Sequence, residues 1–117
     1  MSDLRLVICD VDGTLVDSQA EIMAAMGMAF AAENMAMLPR AQILSIVGLS
    51  LAEAFAVLCP QIEPAQKTRL VQAYKDAFND LRGADGGADL SPMFAGAKDA
   101  LLQLHAQDNT LLAVATG

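Results

Sequence analysis

Two short, almost unbroken apolar runs flank a long stretch of helical periodicity. The first is Leu4-Arg5-Leu6-Val7-Ile8-Cys9, and it ends in the polar segment Asp10-Val11-Asp12-Gly13-Thr14. The second is Thr110-Leu111-Leu112-Ala113-Val114-Ala115, preceded by the turn-forming pair Asp108-Asn109 and followed by Thr116-Gly117. Neither run alternates apolar with polar, as a half-exposed strand would. Both are therefore predicted as parallel strands in the middle of a sheet, covered by helices.

The residues between them read as helices. Ser18 and Glu21 have capping-box spacing, in which each side chain satisfies an unpaired backbone N–H of the first turn. Ile22, Met26 and Phe30 follow at i, i+4 and i+8 on one face. Pro39 suits the first position of a second helix, which Gly48 would stop. Ser50 and Glu53 repeat the capping spacing ahead of Leu51, Ala54, Phe55 and Leu58, and Cys59-Pro60 closes that helix. Pro64 opens a longer one through Leu70, Val71, Tyr74, Phe78 and Leu81. The run Gly83-Ala84-Asp85-Gly86-Gly87 is expected to be a linker. A last helix spans residues 96–106, with Ala97, Ala100, Leu101 and Leu104 on one face.

Two parallel strands need a crossover of only a dozen or so residues, which the helix at 96–106 supplies alone. The four helices before it are surplus to the sheet and read as an inserted bundle. The expected organisation is a core segment at 1–16, a helical cap at 17–88 and a second core segment at 89–117. An insertion placed directly after the Asp10–Thr14 loop is where a lid over a substrate would sit.

Composition narrows the function classes. At 117 residues and 55% hydrophobic, the chain has enough apolar side chains for a small packed domain and too many for a disordered tail. Seven basic residues against fourteen acidic ones give a net charge of −7, a poor match for nucleic acid. No apolar run reaches the ~18 residues of a membrane span, and the N-terminus lacks the pattern of a signal peptide. A cytoplasmic protein is expected. Cys9 and Cys59 have no metal-ligand spacing and read as small buried hydrophobes, His105 as a surface residue, and the seven methionines as helix core.

The chemistry concentrates at Asp10 and Asp12. Two carboxylates two residues apart at the carboxyl end of a buried strand repel each other unless a cation lies between them, and oxygen donors favour Mg²⁺. Backbone N–H groups of Val11, Gly13 and Thr14 can turn toward an anion, and Gly13 has no side chain to block the approach. A carboxylate nucleophile, a divalent metal and an anion cradle together suit phosphoryl transfer through an aspartyl-phosphate.

The segment Asp10-Val11-Asp12-Gly13-Thr14-Leu15-Val16-Asp17-Ser18 resembles the first signature of the haloacid dehalogenase-like (HAD) hydrolases, in their phosphoglycolate-phosphatase-like branch. Leu111–Gly117 is similar to the second signature, an apolar strand ending in Thr or Ser. Ser91-Pro92-Met93-Phe94-Ala95-Gly96-Ala97 resembles the segment that returns from the helical cap of that branch to its core, and Ile46-Val47-Gly48-Leu49-Ser50 resembles a cap-loop motif.

This resemblance implies a Rossmann-like parallel α/β core, with the two signature strands as central neighbours in a five-stranded sheet, and an inserted α-helical cap. It implies Asp10 as nucleophile and metal ligand. Asp12 would be the general acid and base, its backbone carbonyl on Mg²⁺, and Thr116 and the Gly117 N–H would hold the phosphoryl group. Arg40, Gly48 and Ser50 are the candidate cap contacts to substrate. The expected activity is Mg²⁺-dependent hydrolysis of a small, phosphoglycolate-like monoester; the expected partner is a small phosphorylated metabolite. A phosphotransferase resembling β-phosphoglucomutase shares both Asp residues, and a non-catalytic fragment is the other reading; Asp12 disfavours a dehalogenase. The third signature of the family, a lysine, and its fourth, an acidic pair, have no counterpart before residue 117. Lys98 precedes the second signature and is no substitute. The chain is therefore expected to be the first half of such an enzyme and inactive alone, with roughly 100 residues missing by ordinary domain proportions.

Overall fold

The computed structural model describes residues 3–85 and 90–115. The order is β1 (Arg5–Asp10), α1 (Gln19–Ala32), α2 (Arg40–Leu44), α3 (Leu51–Leu58), α4 (Pro64–Asp85), α5 (Ala97–His105) and β2 (Thr110–Ala115), an α/β architecture. The chain divides into two compact units, Met1–Ser18 with Ser91–Gly117, and Gln19–Leu90. Both boundaries fall two residues later than the 16/17 and 88/89 divisions expected from the sequence.

In the first unit β1 and β2 pair in parallel, Arg5 opposite Thr110 through Asp10 opposite Ala115. The paired strand begins one residue later than the apolar run and takes in Asp10. Its start is held by the Arg5 N–H donating to the Asn109 carbonyl at 2.7 Å, and by the Asn109 amide donating to the Asp3 carbonyl at 2.9 Å. Gly96, at φ 83°, occupies the left-handed region that a side chain disfavours, and turns the chain into α5, which packs on β2.

The expectation of strands covered by helices does not hold here. Leu6 and Ile8 are 59% and 61% exposed, Leu111 56% and Val114 61%. Leu6 pairs with Leu111 and Ile8 with Ala113 on one side of the sheet, Val114 pairs with Cys9 on the other, and among the described residues this unit has only α5 to cover two strands. A two-stranded sheet is marginal without further packing. In hydrogen exchange on the 117-residue polypeptide, the β1 and β2 amides are expected to exchange about 100-fold faster than the central amides of α1 and α4. Equal protection would contradict that picture.

The second unit has the packed core. Met26, Ala29 and Phe30 of α1, Ile43 of α2, Ile46, Ala54, Phe55 and Leu58 around α3, and Leu70 of α4 form one buried cluster. Removing a side chain the size of Phe55 from water contributes roughly 2–3 kcal/mol. The Phe55 ring meets Phe30 and Tyr74 edge-on, at centroid distances of 6.2 and 6.5 Å, and Tyr74 stacks on Phe78 at 5.9 Å. Ala25 and Ala29 on α1 are fully buried, small enough for α4 to pack along that face.

Several local readings need correction. Pro39 is the N-cap of α2, outside the helix, and α2 ends at Leu44 with Ser45 as C-cap, well before Gly48. The Pro39 carbonyl accepts from the Gln42 and Ile43 amides, which starts the helix one residue later than its first-position preference suggested. Helix α4 continues through Gly83 to Asp85, into the expected linker; Gly86 and Gly87 lie outside the described residues. Met28, Met37 and Met93 are exposed, not core, while Met26 is buried. Both cysteines are half-buried, and desolvation pushes the Cys59 thiol pKa up. His105 is exposed, as expected.

Glu21 lies in the buried stripe of α1 with no exposure, and its carboxylate accepts from Arg82 Nε at 2.8 Å and from a terminal guanidinium nitrogen at 3.4 Å. The guanidinium also lies 4.4 Å from the centre of the Phe78 ring. A buried carboxylate is tolerable only with such a partner. The acid is in the first turn of α1 and the base in the last turn of α4, the favourable sense for both helix dipoles.

Candidate active site

The first strand delivers Asp10 to its carboxyl end, and the residues after it fold into a tight loop. The Val11 carbonyl accepts from the N–H groups of Thr14, Leu15 and Val16 at 3.2, 2.9 and 3.0 Å. The Gly13 N–H donates to the Val16 carbonyl at 2.9 Å, which closes a small bridge between Asp12 and Val16. Gly13 is at φ 78°, where an L side chain is strained, so this loop requires its glycine.

The loop is braced from the returning segment. Val16 bridges Met93 in antiparallel fashion, the Asp17 N–H donates to the Pro92 carbonyl at 2.8 Å, and the Phe94 N–H donates to the Leu15 carbonyl at 2.9 Å. Rigid backbone on both sides leaves Asp10, Asp12, Gly13 and Thr14 exposed at the strand end. Ala115 lies opposite Asp10 in the sheet register. Thr116 and Gly117, the expected phosphoryl-binding residues, lie outside the described residues.

The proposed anion cradle differs from expectation in detail. The Val11 N–H donates to Asp10 Oδ1 at 2.8 Å, and the Gly13 and Thr14 amides are used inside the loop. Among the described residues, the Asp12 N–H makes no hydrogen bond. Asp12 is an exposed residue, and among the described residues its amide is the loop donor left for an anion. Loop closure itself takes the other N–H groups, because a turn this tight satisfies its own donors first.

Two exposed carboxylates at one strand end suit a hard divalent cation. Among the described residues, no set of three or more His, Cys, Asp and Glu side chains gathers to complete such a site. The carboxylate oxygens of Asp10 and Asp12 are donors of the kind that a hard divalent cation such as Mg²⁺ takes.

The cap candidates lie in the helical unit. Gly48, at φ 101°, makes the turn before α3, and Ser50 is the N-cap of α3, its hydroxyl accepting from the Glu53 N–H at 3.3 Å. Arg40, the first residue of α2, is exposed, and a terminal guanidinium nitrogen donates to Gln19 Oε1 at 2.7 Å. Sequence reasoning missed the Gln19 contact, which joins residues 21 apart; nothing in a linear pattern signals it.

Residues 7–117 match the family model of the haloacid dehalogenase-like hydrolases. The chain belongs to that family. It is 36% identical over 114 residues to the protein named "Probable phosphatase IndB" of Dickeya dadantii (strain 3937), covering 95% of this chain and 47% of the relative. A haloacid dehalogenase-like family hydrolase from Streptococcus pneumoniae superposes with a TM-score of 0.78 at 24% identity, over 97% of this chain and 49% of that one. A predicted phosphoglycolate phosphatase from Haemophilus somnus 129PT gives 0.74 at 20% identity, over 97% and 51%. These two establish the HAD-like fold of the chain, which spans about half the length of the relatives it matches. No helix among the described residues is long and apolar enough to cross a membrane.

Proposed function

We propose that the full-length protein is a cytoplasmic, Mg²⁺-dependent phosphatase that hydrolyses a small phosphoglycolate-like monoester through an aspartyl-phosphate. The observation that carries this reading is the exposure of Asp10 and Asp12 on one braced loop at the carboxyl end of β1. Open α/β sheets bind their ligands at that end of the strands.

In this reading an Asp10 carboxylate oxygen attacks phosphorus, and the ester oxygen leaves with a proton from the Asp12 carboxyl. The Asp12 carboxylate then takes a proton from water as that water attacks phosphorus, which frees Asp10 and inorganic phosphate. Proton and phosphoryl group balance over the two steps, with each acid returned to its starting state. The Asp12 N–H, with Thr116 and Gly117, would bind the phosphoryl oxygens. The Asp10 carboxylate and the Asp12 backbone carbonyl would hold Mg²⁺, which when bound neutralises phosphoryl charge.

The test is release of inorganic phosphate by the full-length protein with Mg²⁺, from phosphoglycolate and from p-nitrophenyl phosphate. Turnover on the order of 1–100 s⁻¹ on a good substrate is expected. Absence of release from any phosphate monoester would refute the proposal. Transfer between positions of a sugar phosphate, with no phosphate released, would mark a phosphotransferase instead.

A further inference from the structure

The segment that returns to the sheet is punctuated at both ends. Pro92 has no N–H and can join a pairing only through its carbonyl, and Gly96, at φ 83°, turns the chain into α5. Between them Met93 and Phe94 are 43% and 39% exposed, so their side chains add little to a core. Their backbone is what engages. The Asp17 N–H donates to the Pro92 carbonyl at 2.8 Å and the Phe94 N–H to the Leu15 carbonyl at 2.9 Å, the two bonds of the antiparallel Val16–Met93 bridge.

Val16 is at the same time the partner of Asp12. Its N–H donates to the Val11 carbonyl and its carbonyl accepts from the Gly13 N–H, the two bonds of the Asp12–Val16 bridge. Asp12, Val16 and Met93 therefore lie side by side in one miniature ladder. The same segment leads on to Asp10. The Phe94 carbonyl accepts from the Ala97 N–H at 3.1 Å, α5 packs on β2, and Ala115 at the end of β2 pairs with Asp10. One continuous stretch, residues 92–115, thus holds Asp12 near its start and Asp10 near its end, all within one compact unit.

We propose that Pro92–Phe94 is a positioning element for Asp12: through Val16 it fixes the backbone of the general acid relative to Asp10. This rests on the phosphatase reading above and adds to it residues that touch neither substrate nor metal. As the Asp10 oxygen bonds to phosphorus and the ester O–P bond breaks, the Asp12 proton passes to the departing oxygen. Both carboxyl groups must then be in place at once, and a misplacement of about 1 Å can cost about 10²-fold in rate. A short exposed loop closed on itself has low local stability, and the second bridge supplies the missing constraint.

The test reads the leaving-group dependence of kcat/KM in the full-length protein, which covers the steps up to the aspartyl-phosphate. p-Nitrophenolate leaves as a stable anion and needs little help from an acid, whereas the alkoxide leaving phosphoglycolate needs the proton. Phe94→Pro deletes the N–H that closes the Val16–Met93 bridge; Phe94→Leu keeps it. Phe94→Pro is expected to lower kcat/KM for phosphoglycolate about tenfold more than for p-nitrophenyl phosphate, while Phe94→Leu stays within about twofold of wild type on both. In an Asp12→Asn background, where the acid is already gone, Phe94→Pro should add no further discrimination between the two esters. Melting curves check that each variant folds. If Phe94→Pro does not, a backbone ester at Phe94, which exchanges only that N–H for oxygen, carries the same expectations. No change, an equal fall on both esters, or added discrimination in the Asp12→Asn background would overturn the inference and leave the phosphatase reading standing. A wild type that hydrolyses p-nitrophenyl phosphate but no alkyl ester would overturn it too, since no leaving group would then be protonated. Hydrolysis of no monoester would remove that reading and the inference with it.

Discussion

Asp10→Asn in the full-length protein is expected to lower phosphate release about 10³-fold or more while shifting Tm by no more than about 2 °C. The two effects separate because of where Asp10 sits. Its side chain is exposed at the last position of β1, outside the packed cluster of the helical unit, so the substitution opens no cavity. Among the described residues its side chain makes one hydrogen bond, accepting from the Val11 N–H at 2.8 Å, and the amide oxygen of asparagine can accept that bond as well. The remaining bonds that close the loop, from the Gly13, Thr14, Leu15 and Val16 N–H groups, go to backbone carbonyls and not to the Asp10 side chain. The chemistry depends on it entirely, since an amide oxygen is a far weaker nucleophile than a carboxylate and carries no charge toward a metal. Kinetics on p-nitrophenyl phosphate beside a melting curve check both halves. Near-normal turnover would assign the nucleophile elsewhere, and a large drop in Tm would make Asp10 a structural residue.

The two strands, the five helices and the Asp10–Asp12 loop were legible because local signals dictate them. Unbroken apolar runs, capping spacings and a Gly at a positive φ act within a few residues of each other. Ser50 shows how far such a signal reaches: the spacing to Glu53 predicted the cap that its hydroxyl makes. Glu21 shows where it stops. The same spacing assigned Glu21 to a capping box, yet its carboxylate is buried against Arg82, 61 residues away. A clue existed, since Glu21, Ala25 and Ala29 share one stripe of α1 at i, i+4 and i+8, and an acid on a buried stripe demands a cation. Which cation answers is a tertiary matter. The exposure of Leu6 and Ile8 was hidden for a different reason. An apolar run states what a strand prefers to touch, while the cover it receives depends on the elements folded beside it. In the site, residue types were readable but the use of each N–H was not, because the loop's own closure at Val11 and Val16 decides which donors remain for a ligand.

Removal of divalent cations should abolish phosphate release by the full-length protein, and added Mg²⁺ should restore it better than Ca²⁺. The argument begins with sign. The chain has a net charge of −7, and the loop that would receive a phosphate dianion presents two exposed carboxylates. Two unit charges 4 Å apart repel by about 1 kcal/mol in bulk water and about 4 kcal/mol near a protein surface. A phosphoryl group approaching both Asp10 and Asp12 meets that cost more than once. The Asp12 amide, the one loop N–H without a hydrogen bond among the described residues, supplies only a fraction of a charge in return. A divalent ion held by the Asp10 carboxylate and the Asp12 backbone carbonyl would reverse the local sign, so affinity and turnover should fall together when it is removed. Magnesium's small radius and near-octahedral demand fix its ligands, whereas calcium's longer, looser coordination leaves the nucleophile less well placed. Assays after exhaustive chelation, followed by addition of each ion in turn, measure the effect. The full-length Asp12→Asn protein provides a check independent of turnover: magnesium binding by calorimetry should persist, because the backbone carbonyl and Asp10 remain as donors. Full activity in excess chelator would show that positive charge reaches the site from elsewhere, and would end the assignment of Asp10 as a metal ligand.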